Sequence, residues 1–176
     1  MLAYFFVLIA VATRLLPHPL HFTMVGAALL YFGARRSRKE MIIPLALLAL
    51  SDVYLTTMRY GLHLSLDTFA SSLWYAGAIL IGSLLAHKTT VLRVIGAALA
   101  SSVSFFLFSN FAVWALGGLY AHTWAGLAQC YLMAIPFFRN TFTSDLVLTP
   151  IAFSIPIAAS AVARYICHTG SSQAAA

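Results

Sequence analysis

The sequence predicts an all-α, polytopic membrane protein of six transmembrane helices, with a short re-entrant or interfacial segment before the last helix. Three observations carry that class. Hydrophobic residues make up 62% of the 176 residues and charged residues only 8%, against about 25% charged in soluble domains. Stretches such as 69–86 and 94–109 contain no charge, as suits helices crossing hydrocarbon. Once these stretches are threaded, the basic residues gather on one side.

The first span covers 1–16 and is closed by Arg14 and the turn Pro17-His18-Pro19. It has no basic segment ahead of its apolar run, and Arg14-Leu15-Leu16-Pro17 is a poor cleavage site. It therefore reads as a retained helix rather than a secretory signal. The second span, 19–33, starts with a proline suited to a first helical turn. Next comes the one dense charge run, Arg35, Arg36, Ser37, Arg38, Lys39 and Glu40. The third span is 41–58, the fourth 69–86, the fifth 92–116 and the last 145–165. Most are ~16–25 residues, or roughly 24–37 Å at 1.5 Å per residue. The first two are at the short end, which suits shielding by their neighbours. Segment 125–138 is apolar but only about 14 residues, roughly 21 Å if helical, and so reads as re-entrant or interfacial. A seventh span there would exchange Arg139 and Arg164 between sides without changing the charge tally, so length alone favours six. Residues 1–168 form one transmembrane domain, and 169–176 a short, flexible, small and polar tail.

Basic loops stay cytoplasmic. With the Arg35–Lys39 loop inside, Lys88, Arg93 and Arg164 are also inside, leaving only Arg14, Arg59 and Arg139 outside. Both termini are then cytoplasmic, and the lipid bilayer is the first partner. The net charge of +6 is this asymmetry, with a share for anionic headgroups. No basic face with interleaved aromatics speaks for nucleic acid. Cys130 and Cys167 should lie a bilayer apart, beyond the ~7 Å reach of a disulfide. His18 and His21 are three apart with Pro19 between and no third ligand, which argues against a metal site. No nucleophile motif or acid pair assembles into a catalytic set. We expect neither an enzyme nor a cofactor.

The outer half collects the unusual polar groups, among them Arg14, His18, His21, Asp52, Arg59, His63, Asp67 and His122. Asp52 sits in an apolar run, where an ionised carboxylate costs about 2.5–3.5 kcal/mol on insertion scales. It reads as a structural pair with Arg14 or Arg59, or as a ligand-facing acid. Asn110 carries an amide that lipid cannot satisfy, so it points inward as interhelical glue or as a pocket group. Trp114 shares its face four residues on. Trp114, Tyr120 and Trp124 suit an interfacial belt or the floor of a small-molecule pocket. Arg139 could snorkel to headgroups or clamp an anion. Asn140, Thr141, Thr143 and Ser144 come next, and Ser144 with Asp145 suits the cap of the last helix. Small residues recur four apart at Gly82/Ala86, Gly96/Ala100, Ala97/Ser101 and Ala159/Ala163, which favours close packing within one bundle.

The residues Arg14-x-x-Pro17, His21-Phe22-Thr23, Ser51-Asp52, Ser109-Asn110, Trp114, Leu119-Tyr120, Gly126-Leu127, Cys130-Tyr131, Asn140-Thr141 and Asp145 carry a resemblance. With Pro136, Phe137 and Phe138, they resemble a bacterial membrane family, domain-of-unknown-function family 6580, over most of the chain. In outline that family is similar to the S components of energy-coupling-factor vitamin transporters. The resemblance implies an S-component-like six-helix bundle with an outward-facing pocket, a solute-capture role in the bacterial inner membrane, and an energising module as partner. Such S components carry Ala-x-x-x-Ala in the first helix, whereas here Ala10 and Ala12 have Arg14 and Leu16 four residues on. A solitary transporter or a different membrane assembly therefore stays open.

The expected function is small-solute binding or transport, with vitamin-like ligands in view. The alternative is a non-catalytic accessory subunit of a larger bacterial membrane complex. The expected ligand-binding residues are Asp52, Asn110, Trp114, Tyr120, Arg139, Asn140 and Asp145.

Overall fold

A computed structural model of the chain describes residues 1–16, 23–61, 63 and 66–173, with the side chains of 67, 68, 71 and 167–173 outside that description. The expected turn at His18 and His21, the side chain of Asp67 and the thiol of Cys167 thus lie outside the described residues. Among the described residues there are six α-helices and no strand. They are α1 (Leu2–Leu15), α2 (Val25–Arg35), α3 (Ile42–Tyr54), α4 (Leu66–Ser83), α5 (Val91–Leu116) and α6 (Trp124–Gln173).

Packing is organised around α2. Its sequence is apolar on every side and rich in Ala and Gly, the pattern of a helix buried all round. Every residue from Gly26 to Ala34 is buried, and α2 packs on α1, α4, α5 and α6. Phe6, Leu29, Leu30, Phe32, Leu48 and Ile79 are among its core neighbours and members. Large apolar side chains such as Phe5, Leu8, Leu50, Leu73, Leu107 and Phe137 face outward. A surface of that kind is compatible with a membrane setting.

Gly33 and Gly82 allow α2 and α4 to approach closely. A Cβ on Gly33 would run into the carbonyl of Ile79 on α4, and one on Gly82 into the carbonyl of Leu30 on α2. Of the four small-residue pairs expected to pack, Gly82 meets α2, while Ala97 and Ser101 are buried. Ala100, Ala159 and Ala163 are exposed instead, and Gly96 has nothing within 4 Å of where its Cβ would be.

Two clusters mark opposite ends of α1. Near its start, the Tyr4 hydroxyl donates to Glu40, which also pairs with Arg36. Ser37 and Glu40 form a capping box over the 3-10 turn Arg38–Met41 that opens α3. Ten residues further along α1, roughly 15 Å on, Arg14 pairs with Asp52 of α3. The basic run and the acid-containing cluster are therefore held at separate levels of the bundle. The π-helical turn Leu55–Arg59 carries α3 onward.

Two expectations are corrected. Among the described residues, three helical stretches are long and apolar enough to cross a membrane: Arg38–Arg59, Val91–Leu116 and Trp124–Ile166. Of the remaining apolar helices, Leu2–Leu15 and Val25–Arg35 are well short of the ~20 residues a span requires, and the described part of α4 contributes the apolar stretch Ser72–Ser83. Six spans are not supported. The second correction concerns 125–138, which is no separate re-entrant or interfacial piece but the first part of α6. α6 runs 50 residues, or ~75 Å, and contains Pro136, Pro150 and Pro156. The expected break at 139–144 does not form: the hydroxyls of Thr141 and Thr143 turn back onto helix carbonyls, while that of Ser144 reaches another segment. Thr143 donates to the carbonyls of Arg139 (2.9 Å) and Asn140 (3.0 Å), and Thr141 to that of Phe137 (3.4 Å). The expected domain boundary at 168–169 falls within α6, and 174–176 lie outside the described residues.

Candidate functional site: a charged cluster and a cavity beside Asp145

Asp52 of α3 is held from two other helices. One oxygen, Oδ1, pairs with the Arg14 guanidinium of α1. The other, Oδ2, accepts from Ser72 (3.0 Å) and from the Tyr75 hydroxyl (2.9 Å), both on α4. Arg14 also donates to Tyr75 (2.9 Å) and to Ser51 (3.3 Å). Its Cζ lies 5.9 Å from the Tyr75 ring centre, within cation–π range. The Arg14 and Asp52 side chains are 17% and 11% exposed, so both charges are largely removed from solvent. Of the two basic partners expected for Asp52, Arg14 takes the role; Arg59 is exposed.

Asp145 behaves differently from its expected part. It stands inside α6, not at a helix start, so the capping role is corrected. The residue is 3% exposed. Its Oδ2 accepts from Ser102 of α5 (2.6 Å), and its carboxyl lies directly over Gly26 of α2, where any side chain would collide with it. The neighbouring Ser144 donates to the carbonyl of Thr23 (2.6 Å), pinning α6 to the start of α2. Among the described residues, Asp145 has no cationic partner.

Between these two features lies a cavity of about 180 Å³ lined by Arg14, Thr23, Val25, Gly26, Trp74, Tyr75, Phe105, Thr141 and Asp145. Trp74 is held by its indole N–H, which donates to Ser104 (3.1 Å), and by Phe105, whose ring centre is 4.8 Å away. A second cavity, about 240 Å³, shares Phe105 and Thr141 as a wall and is bounded by Phe106, Ser109, Asn110, Ala134, Phe137 and Phe138.

The expected site residues do not converge on one place. Asp145 lines the first cavity, with Asp52 behind its Arg14 wall. Asn110 lines the second, where its Nδ2 donates to the Phe106 carbonyl of its own helix (2.7 Å). Trp114 donates to the Ala121 carbonyl (3.0 Å) and meets His122 edge-on at 5.5 Å, at the far end of α5. Tyr120 is half-buried just beyond that end. Arg139 is exposed and Asn140 half-buried, and neither lines these two cavities. Sequence reasoning missed Tyr75, Ser72, Trp74, Ser102 and Gly26. The available signal was polar: a Ser-Ser-x-Trp-Tyr stretch and a Ser-Ser-x-Ser stretch, each inside an otherwise apolar, charge-free run.

Among the described residues, no group of three or more His, Cys, Asp or Glu side chains is placed to hold a metal. Cys130 is 2% exposed and directs its thiol at the Asn110 carbonyl (3.4 Å). It is expected to resist a bulky maleimide in the folded protein and to react fully on denaturation. Fast labelling under native conditions, read by mass spectrometry, would contradict this packing of α5 against α6.

A family model described as a family of unknown function (DUF6580) matches residues 1–166. The chain belongs to that family. The match spans α1 to α5 and most of α6, so it takes in the Arg14–Asp52 cluster, Asp145 and both cavities. Comparison with curated proteins and with solved structures returned no match.

Proposed function

We propose that this protein binds, and in its membrane setting transports, a small solute at the cavity between Arg14 and Asp145. The observation that carries the reading is a buried acid with no cationic partner among the described residues, lining a cavity with aromatic walls. Ionisable groups inside apolar helical bundles are costly and concentrate on solute and ion pathways. Aromatic walls with a few convergent polar groups are the make-up of small-molecule sites. The Arg14–Asp52 cluster serves as a fixed polar wall, and Asn110, with its neighbouring cavity, extends the path. Trp114, Tyr120, Arg139 and Asn140 belong to the rim of this reading. No catalytic step is part of it.

The setting proposed is a bacterial inner membrane, with the basic end around Arg35–Lys39 toward the cytoplasm. The positive-inside rule supports this orientation. A cysteine replacing Ser37 is expected to stay unlabelled by an impermeant reagent applied from outside. External labelling there overturns the orientation.

The alternative, an accessory subunit of a larger bacterial membrane complex, draws support from the self-contained Arg14–Asp52 pairing, which leaves those charges no ligand to await. Mass spectrometry of gently purified protein separates the two. The solute reading expects a stoichiometric small molecule that is lost in Asp145→Asn. A preparation that retains only lipid, whatever stands at position 145, favours the accessory role.

A further inference from the structure

We propose that the cavity beside Asp145 takes a small organic cation, an ammonium group on a compact apolar body. This rests on the solute-binding reading and adds the charge class of the solute. Two charged side chains, Arg14 and Asp145, line the cavity. Arg14 is already engaged: its NH1 serves Tyr75 and Ser51, and its NH2 serves Asp52. Together, Arg14 and Asp52 are electrically neutral. Asp145 remains, with one hydrogen bond from Ser102 and no ion pair among the described residues. Among the described residues, Asp145 is therefore the acidic group on the cavity wall without a counter-charge, and a cationic guest would supply one.

The other walls fit the same class of guest. Trp74, Tyr75 and Phe105 present aromatic rings, whose faces attract cations. Thr23 and Thr141 add hydroxyl groups that can accept from an ammonium N–H. A volume of about 180 Å³ is close to the ~150 Å³ that admits a benzene-sized guest in an engineered cavity. An anion of that size would meet the Asp145 carboxylate, and a neutral guest would leave it unpaired.

Three six-membered or near-isosteric probes test this: piperidinium, cyclohexanol and cyclopentanecarboxylate. The full chain is reconstituted in lipid nanodiscs, and saturable shifts of its thermal midpoint are measured. Piperidinium alone is expected to stabilise the protein. Asp145→Asn should weaken its apparent affinity at least tenfold. Phe105→Leu, which keeps the charge and removes one aromatic face, should weaken it about three- to five-fold. Where Asp145→Asn does not fold, Phe105→Leu decides, and an unchanged piperidinium response in it overturns the proposal. Equal stabilisation by cyclohexanol, or a preference for cyclopentanecarboxylate, overturns the cation assignment and leaves solute binding standing. No response to any probe overturns the cation assignment, and if purified protein also retains no solute, the solute-binding reading falls with it.

Discussion

Arg14→Met is expected to cost about 3–5 kcal/mol of stability. Removing one member of a buried ion pair leaves the other charge without its counter-ion in a low-dielectric site, and penalties of this size result. Here the survivor would be Asp52, 11% exposed and left, among the described residues, with the hydroxyls of Ser72 and Tyr75. Asp52→Leu should cost a similar amount, because it strands the guanidinium instead. The double variant Arg14→Met/Asp52→Leu removes both charges at once and should recover most of the loss, since an apolar pair of similar volume often replaces a buried ion pair at little cost. Reversible unfolding in mixed micelles, read as a double-mutant cycle, measures the coupling. Single variants that lose less than about 1 kcal/mol would place the pair among solvent-screened surface contacts, contrary to its burial.

Gly33→Val combined with Gly82→Val is expected to prevent α2 and α4 from docking at all. Overpacking a single site costs about 1–3 kcal/mol and sometimes more. At both of these sites the obstacle is backbone: the Ile79 carbonyl for Gly33 and the Leu30 carbonyl for Gly82. Backbone carbonyls of a helix cannot rotate away as a side-chain tip can, so the helices themselves must separate. Because α2 is the buried centre of the bundle, that separation propagates to α1, α5 and α6, which pack on the same helix. The double variant should elute as aggregate in size-exclusion chromatography under conditions where the parent is monodisperse. Gly96→Ala is the control. With nothing within 4 Å of its new methyl, it should be neutral or gain up to about 1 kcal/mol from helix propensity. A monodisperse, stable Gly33→Val/Gly82→Val protein would rule out the close approach of α2 and α4.

The helical class and the location of most helices were legible in the chain itself. Apolar runs with few charges, long enough to be helices, are a local signal, and α1, α3, α4 and α5 lie close to where those runs place them. Asp52 could also be singled out, because a carboxylate among leucines demands a partner wherever it ends up. Arg14 was one of two partners named for it. Identifying which one required knowing how α1 and α3 rotate against each other, a matter of non-local packing. The contributions of Tyr75 and Ser72 were invisible for the same reason, since nothing in the order of residues states which face of α4 meets α3.

The last third of the chain shows the opposite case. Pro136 and the polar run 139–144 carry the marks of a break and then a capped helix. Yet hydroxyl groups on a helix have a second option, bonding back to carbonyls one turn earlier, and there they took it. Local sequence cannot choose between capping and back-bonding when both satisfy the same groups. Tertiary packing chose: Ser144 reaches the Thr23 carbonyl, Ser102 reaches Asp145, and Gly26 leaves room for the carboxyl. Composition and periodicity thus specified an apolar helical protein with a few obligate polar contacts. The burial of Asp145 as a cavity wall arose only when three helices distant in sequence closed around it.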